Sequence, residues 1–390
     1  MTTTRDVVII GGGLVGSSLA LALCAAGLDV ALVEPHAPRP PADARTWDTR
    51  IYAISPGNVA FLAGLGVWQR LDPQRYQRVE AMEIHGDERS GRLDLSAYDA
   101  GLRELAFIVE GGGLQRAMQE AMSGVQGLTT LSPAQAVAMA VTAKSASVTL
   151  ADGMIVEARL VVGTDGGDSW VRQAAGITLR SSDYRQLGVV ANFETEKPHQ
   201  STALQWFRPD GVLALLPLPG NRTSMVWSTS VEHAESLLSL GADALAEAVT
   251  EASQNVLGSL RLISPAAGFP LRLTRVSRLI AQRVALAGDA AHSVHPLAGQ
   301  GVNLGMRDAR KLSEVLAARL PRQDCGDWLL LRRYERARRE DIAAIELSTD
   351  SLQKLFSARP VWISGVRNAG LAAVNRIAPL KNLLIRHAVG

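Results

Sequence analysis

Residues 7–16 of the chain read Val-Val-Ile-Ile-Gly-Gly-Gly-Leu-Val-Gly, and this stretch decides the fold. Its first four residues are a β-branched run, which predicts a parallel strand that is buried on both faces. Residues 17–26 have the pattern of a helix. Between the two, Gly11, Gly13 and Gly16 have the spacing of the G-x-G-x-x-G fingerprint. The sequence therefore predicts a Rossmann-like unit that binds a dinucleotide.

Each part of this fingerprint has its own physical role. The first glycine permits a tight turn, the second lets the backbone approach a pyrophosphate, and the third lets helix and strand pack closely. The helix N-terminus offers free N–H groups and a positive dipole end to the phosphates. A second predicted strand, at residues 29–33, ends in Glu34, which we expect to accept hydrogen bonds from ribose hydroxyls. In the alternative interpretation Glu34 is a surface acid beside a glycine-rich loop.

The uncharged stretch from Val7 to Leu28 has a second interpretation. It is long enough for a membrane span or the core of a signal peptide. However, it contains three consecutive glycines and a pair of serines, and no basic region precedes it. These features favour the buried strand, turn and helix.

Length and composition bound the class of protein. The chain has 390 residues, 47% of them apolar and 20% charged, which is typical of a globular enzyme with two domains or with one domain and a large insertion. A formal charge of +2 without a basic block argues against nucleic acid as a partner. Cys24 and Cys325 lack the spacing of a metal or redox pair, so we interpret them as packing residues in a reducing cytoplasm.

Two later segments identify the dinucleotide. Residues 159–172 contain a hydrophobic strand that ends at Asp165-Gly166, and residues 284–308 contain another that ends at Gly288-Asp289. With these motifs the chain resembles the FAD-dependent aromatic hydroxylases of the para-hydroxybenzoate hydroxylase superfamily. The resemblance implies that Asp165 lies near the flavin and that Asp289 binds the ribityl chain. It also implies that a helix start after His295 points backbone N–H groups at the flavin ring, with these residues at the cofactor: Pro296, Gly299, Gln300, Gly301, Val302 and Asn303.

Within that superfamily the chain is most similar to the ubiquinone-biosynthesis hydroxylases. The matching segments are residues 48–55, 65–68, 107–110, 211–218 and 298–305. The resemblance implies that Arg50 reaches the cofactor, although a surface salt bridge from Arg50 to Asp48 is the alternative. One departure stands out, because the family usually has an Asn-Arg pair where this chain has Gly111-Gly112-Gly113. We expect a flexible turn there, a helix that starts near Leu114, and Gln115 facing the flavin.

The predicted fold class is α/β, a Rossmann-like FAD-binding domain with an inserted mixed β-sheet substrate domain and a C-terminal helical segment. We place the FAD-binding domain at residues 1–75, 100–180 and 275–345, the substrate domain at residues 76–99 and 181–274, and the C-terminal region at residues 346–390. Three strands are predicted in the insertion, at Val189–Phe193, Ala203–Phe207 and Val212–Leu218, and residues 79–95 join them. An amphipathic helix is predicted over residues 234–256, where the chain returns from the insertion to the FAD-binding domain.

The resemblance implies an FAD-dependent monooxygenase that uses NADH or NADPH and O₂ to hydroxylate the aromatic ring of a polyprenyl phenol intermediate in ubiquinone biosynthesis. Since no second fingerprint is present, we expect the nicotinamide to dock transiently. His292 and His295 are weak candidates for a base, but structural roles for them are favoured and no base is assigned. Two alternatives remain open: a flavoprotein dehydrogenase or reductase without oxygen insertion, and a non-catalytic member of a ubiquinone-biosynthesis complex.

The C-terminal sequence bears on localisation. After Asp350 the chain has no acidic residue, and apolar residues recur at helical spacing among six basic ones. Such a segment can lie on an anionic membrane, or it can pack on the protein with a solvated basic face. Because a polyprenyl phenol resides in the bilayer, we expect a cytoplasmic protein with peripheral association at the inner face of the membrane.

Overall fold

The computed structural model describes residues 2–37, 46–86, 91–293 and 300–357. Within these ranges the strands are β1 (Thr2–Ile10), β2 (Val30–Val33), β3 (Ile51–Ile54), β4 (Tyr76–Val79), β5 (Ala81–His85), β6 (Arg92–Ser96), β7 (Ala106–Glu110), β8 (Leu128–Leu131), β9 (Ala136–Val141), β10 (Ala146–Leu150), β11 (Ile155–Gly163), β12 (Leu179–Thr195), β13 (Thr202–Arg208), β14 (Gly211–Leu218), β15 (Arg222–Ser230), β16 (Leu260–Leu262), β17 (Ala267–Val276), β18 (Ile280–Ala281), β19 (Val284–Leu286) and β20 (His292–Ser293). The α-helices are α1 (Leu14–Ala25), α2 (Pro56–Gly64), α3 (Gly111–Met122), α4 (Trp170–Ala174), α5 (Val231–Ser239), α6 (Ala242–Ala252), α7 (Gln300–Ala317) and α8 (Trp328–Ser357). Short 3₁₀ turns lie at Trp68–Arg70, Pro73–Arg75 and Gly288–Ala290.

The strand that precedes the glycines lies inside an eight-stranded sheet. Its order is β18-β19-β11-β1-β2-β8, with β10 and β9 continuing from β11, and β1 runs parallel to both of its neighbours. Residues 7–10 are buried in a core that includes side chains of α1 and α7, which explains their unbroken apolar run. The predicted strand, turn and helix are confirmed, although α1 begins at Leu14 rather than Ser17. Among the described residues no helix is long and apolar enough to cross a membrane.

A nine-stranded mixed sheet has the order β20-β17-β12-β15-β14-β13-β5-β6, with β16 beside β12. Its neighbours are antiparallel except for the parallel pair β13 and β5. Helices α5 and α6 cover one face, where Phe193, Leu213 and Trp227 pack with Leu237 and Val249. The predicted α/β fold with a mixed sheet is therefore confirmed.

The single helix predicted over residues 234–256 is wrong. The structure has two helices there, α5 and α6, which are separated at Leu240 and Gly241. Both residues have extended backbone, and Gly241 is the residue from which α6 starts. The apolar periodicity continues across the break because both helices pack on the same sheet face, so the sequence pattern conceals it.

A three-stranded antiparallel sheet, β3-β7-β4, packs against the nine-stranded sheet. Its apolar side chains Ile51, Ala53 and Ile108 pack with Ala203 and Leu218 of the nine-stranded sheet. Residues 76–79, placed in the insertion above, form β4 and pair with β7 in this sheet. Helix α8 also continues past residue 345, so the residue-level domain boundaries stay predictions.

Both cysteines are unpaired. Cys325 is buried, and burial together with the nearby Asp29 carboxylate raises the pKa of Cys24 to about 11. A thiol with so high a pKa is a poor nucleophile at neutral pH, in keeping with a packing role.

Candidate functional site

The three fingerprint glycines divide into two kinds. Gly11 has a φ of +106°, and a Cβ there would lie 2.5 Å from the carbonyl oxygen of Thr164. A Cβ at Gly16 would lie 1.9 Å from the carbonyl oxygen of Gly11. Both positions therefore require glycine for the fold itself. A Cβ at Gly13 would meet no protein atom within 4 Å, so this glycine faces open space directly before α1.

Replacing Gly13 with Val is expected to weaken FAD binding while leaving the unfolding of the apoprotein unchanged. The side chain meets no protein atom, but it fills the space through which a pyrophosphate approaches the helix N-terminus. The expected cost to binding is about 1–3 kcal/mol, as for extra methyl groups forced into a filled site. FAD titration and thermal unfolding measure the two effects, with Gly64→Val as the control at an exposed, equally open glycine. Equal FAD affinity in parent and Gly13→Val would contradict the assignment of the turn.

Two polar side chains hold the glycine turn through hydrogen bonds to the backbone of Gly12. The Glu34 Oε2 accepts a hydrogen bond of 2.7 Å from the N–H of Gly12, and Gln115 Nε2 donates to the Gly12 carbonyl at 2.8 Å. The other oxygen of Glu34 accepts from the backbone of His36. Glu34 is thus at the end of β2 beside the turn, and Gln115 reaches the turn from the first part of α3. Contacts of Glu34 with a ribose and of Gln115 with the flavin stay predictions.

Asp165 lies directly across from this turn. The preceding hydroxyl, of Thr164, donates to the carbonyl oxygens of Ile10 and Gly11 and so joins the end of β11 to the fingerprint. Asp165 Oδ2 accepts a hydrogen bond of 3.0 Å from the N–H of Val171. Among the described residues its buried Oδ1 has no hydrogen-bond partner, which suits an acceptor that awaits a ligand.

Asp289 combines solvent exposure with a raised pKa. Its side chain is reachable by solvent, yet burial by the surrounding protein raises the pKa of its carboxyl, and the Asp308 carboxylate adds to this while His292 opposes it. Both properties are expected of a group that lines a deep cleft. Gly288, with a φ of +63°, makes the turn that presents it at the end of β19. This is the position at which the sequence predicts a contact with the ribityl chain.

Behind Asp289, a buried ion network connects three parts of the chain. The carboxylate of Asp308 on α7 accepts hydrogen bonds from His292 Nε2 at 2.6 Å, Arg338 Nε at 2.6 Å and the N–H of Gly288 at 2.9 Å. Burial alone would lower the pKa of His292, but the Asp308 carboxylate outweighs it and the pKa is raised. Burial likewise opposes ionisation of Asp308, but His292 and Arg338 hold its pKa below the usual range. His292 therefore stabilises the turn that carries Asp289.

The start of α7 contains several predicted cofactor residues. The side chain of Asn303 is buried and bonded to protein: its Oδ1 accepts from the N–H of Ser55 and from Asn58 Nδ2, and its Nδ2 donates to the Ala53 carbonyl. Its side chain thus fastens α7 to β3 and α2, which leaves the backbone for any cofactor contact. Gly301 and Val302 are partly exposed in the first turn of α7, and Gln300 is its first residue. His295, Pro296 and Gly299 lie outside the described residues.

The Gly111–Gly113 run departs from the prediction. Helix α3 begins at Gly111, not near Leu114, because its first N–H groups already have acceptors. The N–H of Gly111 donates to the Arg50 carbonyl at 2.7 Å, and that of Gly112 donates to Asp48 Oδ2 at 2.8 Å. These bonds offset the low helix propensity of glycine. Asp48 Oδ1 also accepts from the Arg50 backbone, so the exposed Arg50 side chain lies beside the start of α3.

A second surface faces away from α5 and α6. Since side chains alternate along a strand, Val190, Ala214 and Val226 lie on the face opposite the core formed with these helices. They are neighbours across β12, β15 and β14, and all three are partly exposed although they are central in the sheet. This apolar floor adjoins the contact between the nine-stranded and three-stranded sheets. It is suited to an apolar or aromatic ligand.

The structure thus brings the fingerprint, Glu34, Gln115 and Asp165 together at the carboxyl ends of the parallel strands β1, β2 and β11. It also places Arg50 beside Tyr52, within the electrostatic influence of Asp289. Sequence reasoning gave no role to Tyr52, although its position two residues after Arg50, at the start of β3, was an available signal. It also missed Arg338, for which no local signal exists, because its partner Asp308 is on a different helix. The open face of Gly13 and the unpaired Asp165 oxygen fit a dinucleotide cofactor.

Comparison with known proteins agrees with this arrangement. Residues 4–348 match the family model described as an FAD binding domain. The chain is 36% identical to the ubiquinone hydroxylase UbiL of Rhodospirillum rubrum, over 99% of this chain and 89% of that protein. It is 33% identical to the 3-demethoxyubiquinol 3-hydroxylase of Escherichia coli, over 99% of this chain and 98% of that protein. The chain belongs to the family of FAD-dependent ubiquinone-biosynthesis hydroxylases.

Solved structures place this hydroxylase family member in the same fold as other flavin monooxygenases. One neighbour is PqsL of Pseudomonas aeruginosa, a probable FAD-dependent monooxygenase, with a TM-score of 0.77 and 25% identity over 95% of this chain and 99% of that one. Another is p-nitrophenol 4-monooxygenase PnpA of Pseudomonas putida, with a TM-score of 0.79 and 17% identity over 100% of this chain and 99% of that one. The second likeness concerns the fold alone.

Proposed function

We propose that the chain is an FAD-dependent monooxygenase that hydroxylates the aromatic ring of a polyprenyl phenol intermediate in ubiquinone biosynthesis, with NADH or NADPH and O₂ as co-substrates. The proposal rests on one observation. A chain related to ubiquinone hydroxylases has a glycine turn that is open at Gly13 and an aspartate, Asp289, that lines a cleft. The named activities of the two relatives supply the substrate class.

The protein's own groups have defined tasks in this reaction. The N-terminus of α1, after Gly13, would bind the pyrophosphate through its free N–H groups and its dipole. Asp289 would accept a hydrogen bond from a ribityl hydroxyl, and the first turn of α7 would offer backbone N–H groups to the flavin. When bound, FAD supplies the path by which nicotinamide electrons activate O₂ for transfer to the ring.

The apolar floor formed by Val190, Ala214 and Val226 provides a binding surface for the phenol substrate. A phenol ring with a prenyl tail leaves water for an apolar surface at a gain of roughly 25 cal/mol per Å² buried. The same side chains exclude water from the place where oxygen is transferred, which limits unproductive consumption of the reductant. No base is assigned, since the Nε2 of His292 is already bonded to Asp308.

The proposal is tested with purified FAD-loaded protein, NADH or NADPH, and a series of short-chain prenyl phenols. We expect one of the phenols to accelerate nicotinamide oxidation and to gain one ring oxygen, identified by mass. Oxidation of the nicotinamide without an oxygenated product would instead favour a dehydrogenase or reductase. Retained FAD without turnover on any phenol of the series would favour a non-catalytic member of a biosynthetic complex.

We also propose peripheral membrane association through the basic sequence after Pro360. The expected result is that the full chain sediments with anionic vesicles, and that added salt weakens binding because exposed charges are screened. Changing Arg367, Arg376 and Lys381 together to Gln is expected to weaken vesicle binding by roughly 1 kcal/mol per charge. Turnover on a water-soluble phenol is the control and is expected to stay intact. Sedimentation that depends neither on salt nor on these charges would contradict the membrane proposal.

A further inference from the structure

The start of α3 is tightly packed around its first residue. A Cβ at Gly111 would lie 3.0 Å from Tyr52 Cε2, 3.1 Å from the Arg50 carbonyl oxygen and 3.2 Å from Arg50 Cδ. Contacts this short force a neighbour to move, and two of the three atoms belong to side chains of one strand end. A Cβ at position 111 would therefore require Tyr52 or Arg50 to shift by a few tenths of an ångström.

Tyr52 lies on the side of the three-stranded sheet that faces the fingerprint. Ile51 and Ala53 pack toward the nine-stranded sheet, whereas Tyr52 packs against the cluster that contains Leu21 of α1 and Leu114 of α3. The ring therefore lies beside Gly111, the first residue of α3, on the face of the three-stranded sheet away from the apolar floor.

The phenol of Tyr52 is also surrounded by the charged groups of the cleft. Burial raises its pKa, the Arg50 guanidinium opposes this through its charge and a hydrogen bond, and the carboxylates of Asp289 and Asp48 add to the rise. A neutral hydroxyl in contact with Arg50 and near Asp289 is both a donor and an acceptor. The side chain is partly exposed, so the cleft has access to it.

We propose that Tyr52 is a cofactor-contacting residue that, together with Arg50, occupies the space left by Gly111 and binds the ribityl-pyrophosphate part of FAD opposite Asp289. The assignment rests on the proposed function, because it names a further residue of the same flavin site. It accounts for the glycine at position 111: a side chain there would displace the ring that makes the contact. In this proposal, residues at the start of β3, rather than the first residues of α3, contact the cofactor.

The test is the affinity of the full-chain apoprotein for FAD, measured by the change in flavin fluorescence on titration. Tyr52→Phe keeps the ring and removes the hydroxyl, and is expected to weaken binding roughly 2- to 10-fold, as for one lost hydrogen bond. Tyr76→Phe is the matched control, because Tyr76 pairs with the same Val109 but belongs to β4, the strand on the other flank of β7. It is expected to bind FAD within about twofold of the parent.

A second pair of variants tests the steric part of the inference. Gly111→Ala is expected to weaken FAD binding about fivefold or more in the parent, since its methyl group pushes the Tyr52 ring and Arg50 aside. In a Tyr52→Ala background the same change is expected to weaken FAD binding less than it does in the parent, because the ring is absent and only the contacts with Arg50 remain. Thermal unfolding of each apoprotein separates a folding defect from a binding defect.

The outcomes separate the two proposals. Full FAD affinity in Tyr52→Phe, an equal loss in Tyr76→Phe, or additive effects of the Tyr52 and Gly111 changes would each overturn the role of Tyr52. A parent protein that binds no FAD would instead contradict the proposed function.

Discussion

Replacing Asp308 with Ala is expected to lower the free energy of unfolding by about 3–5 kcal/mol, because removal of one partner leaves the buried charges of the others uncompensated. Asp308 is fully buried and accepts hydrogen bonds from His292, Arg338 and the Gly288 backbone. FAD retention is expected to fall as well, since Gly288 carries the turn that presents Asp289. Chemical denaturation of parent and variant measures the difference.

The control is Asp341→Ala. Asp341 also pairs with Arg338, but its side chain is 53% exposed, so its loss is expected to cost at most about 1 kcal/mol. Equal effects of the two changes would show that burial of the Asp308 network does not govern stability.

The stability contributed by the Asp308 network is expected to depend on pH in both directions. Asp308 has a folded pKa below its ordinary 3.8, so its contribution is present above that value and is lost as pH falls through the folded pKa. His292 has a folded pKa above its ordinary 6.5, so its contribution is complete below that value and is lost as pH rises through the folded pKa. The difference in unfolding free energy between parent and Asp308→Ala should therefore be largest between pH 3.8 and pH 6.5, the ordinary pKa values of the two groups. A difference that does not change with pH would contradict this account of the network.

Replacing Asp289 with Ala is expected to weaken FAD binding by about 1.5–3 kcal/mol, the usual range for a hydrogen bond to a charged group. Because burial raises the pKa of this carboxyl, the parent's affinity for FAD should fall as pH decreases through a value above the ordinary 3.8 of an aspartate. The affinity of the variant should lack that step. FAD titration across the acidic range measures both effects.

Asp99→Ala, at an exposed turn, is the control for Asp289→Ala and is expected to bind FAD as the parent does. Unchanged FAD binding in Asp289→Ala would mean that this carboxylate serves another role.

The parts of the fold that the sequence predicts are those with local signals. The run of buried β-branched residues before Gly11 and the alternation in β12 to β15 follow from which faces are covered. The early start of α3 could not be predicted in this way, because it depends on acceptors contributed by Asp48 and Arg50, more than sixty residues earlier in the chain.

In the candidate site, too, the sequence predicts the features that have a local signal and misses those that depend on distant residues. Glycine spacing predicts the turn, since it is imposed by a phosphate and by close packing. It does not show that Gly11 and Gly16 are required by neighbouring backbone whereas Gly13 is open to a ligand. The role of Asn303 is likewise non-local, because its partners Ser55 and Asn58 lie about 250 residues away and no periodicity connects them.

The most direct test of the account is the origin of the oxygen in the product. The FAD-loaded protein is incubated with NADH or NADPH and a short-chain prenyl phenol under ¹⁸O₂, and in parallel under ordinary O₂ in ¹⁸O-labelled water. A flavin monooxygenase should place one ¹⁸O atom on the aromatic ring in the first experiment and none in the second. Consumption of the nicotinamide with no labelled ring product, or a ring oxygen that comes from water, would contradict the account.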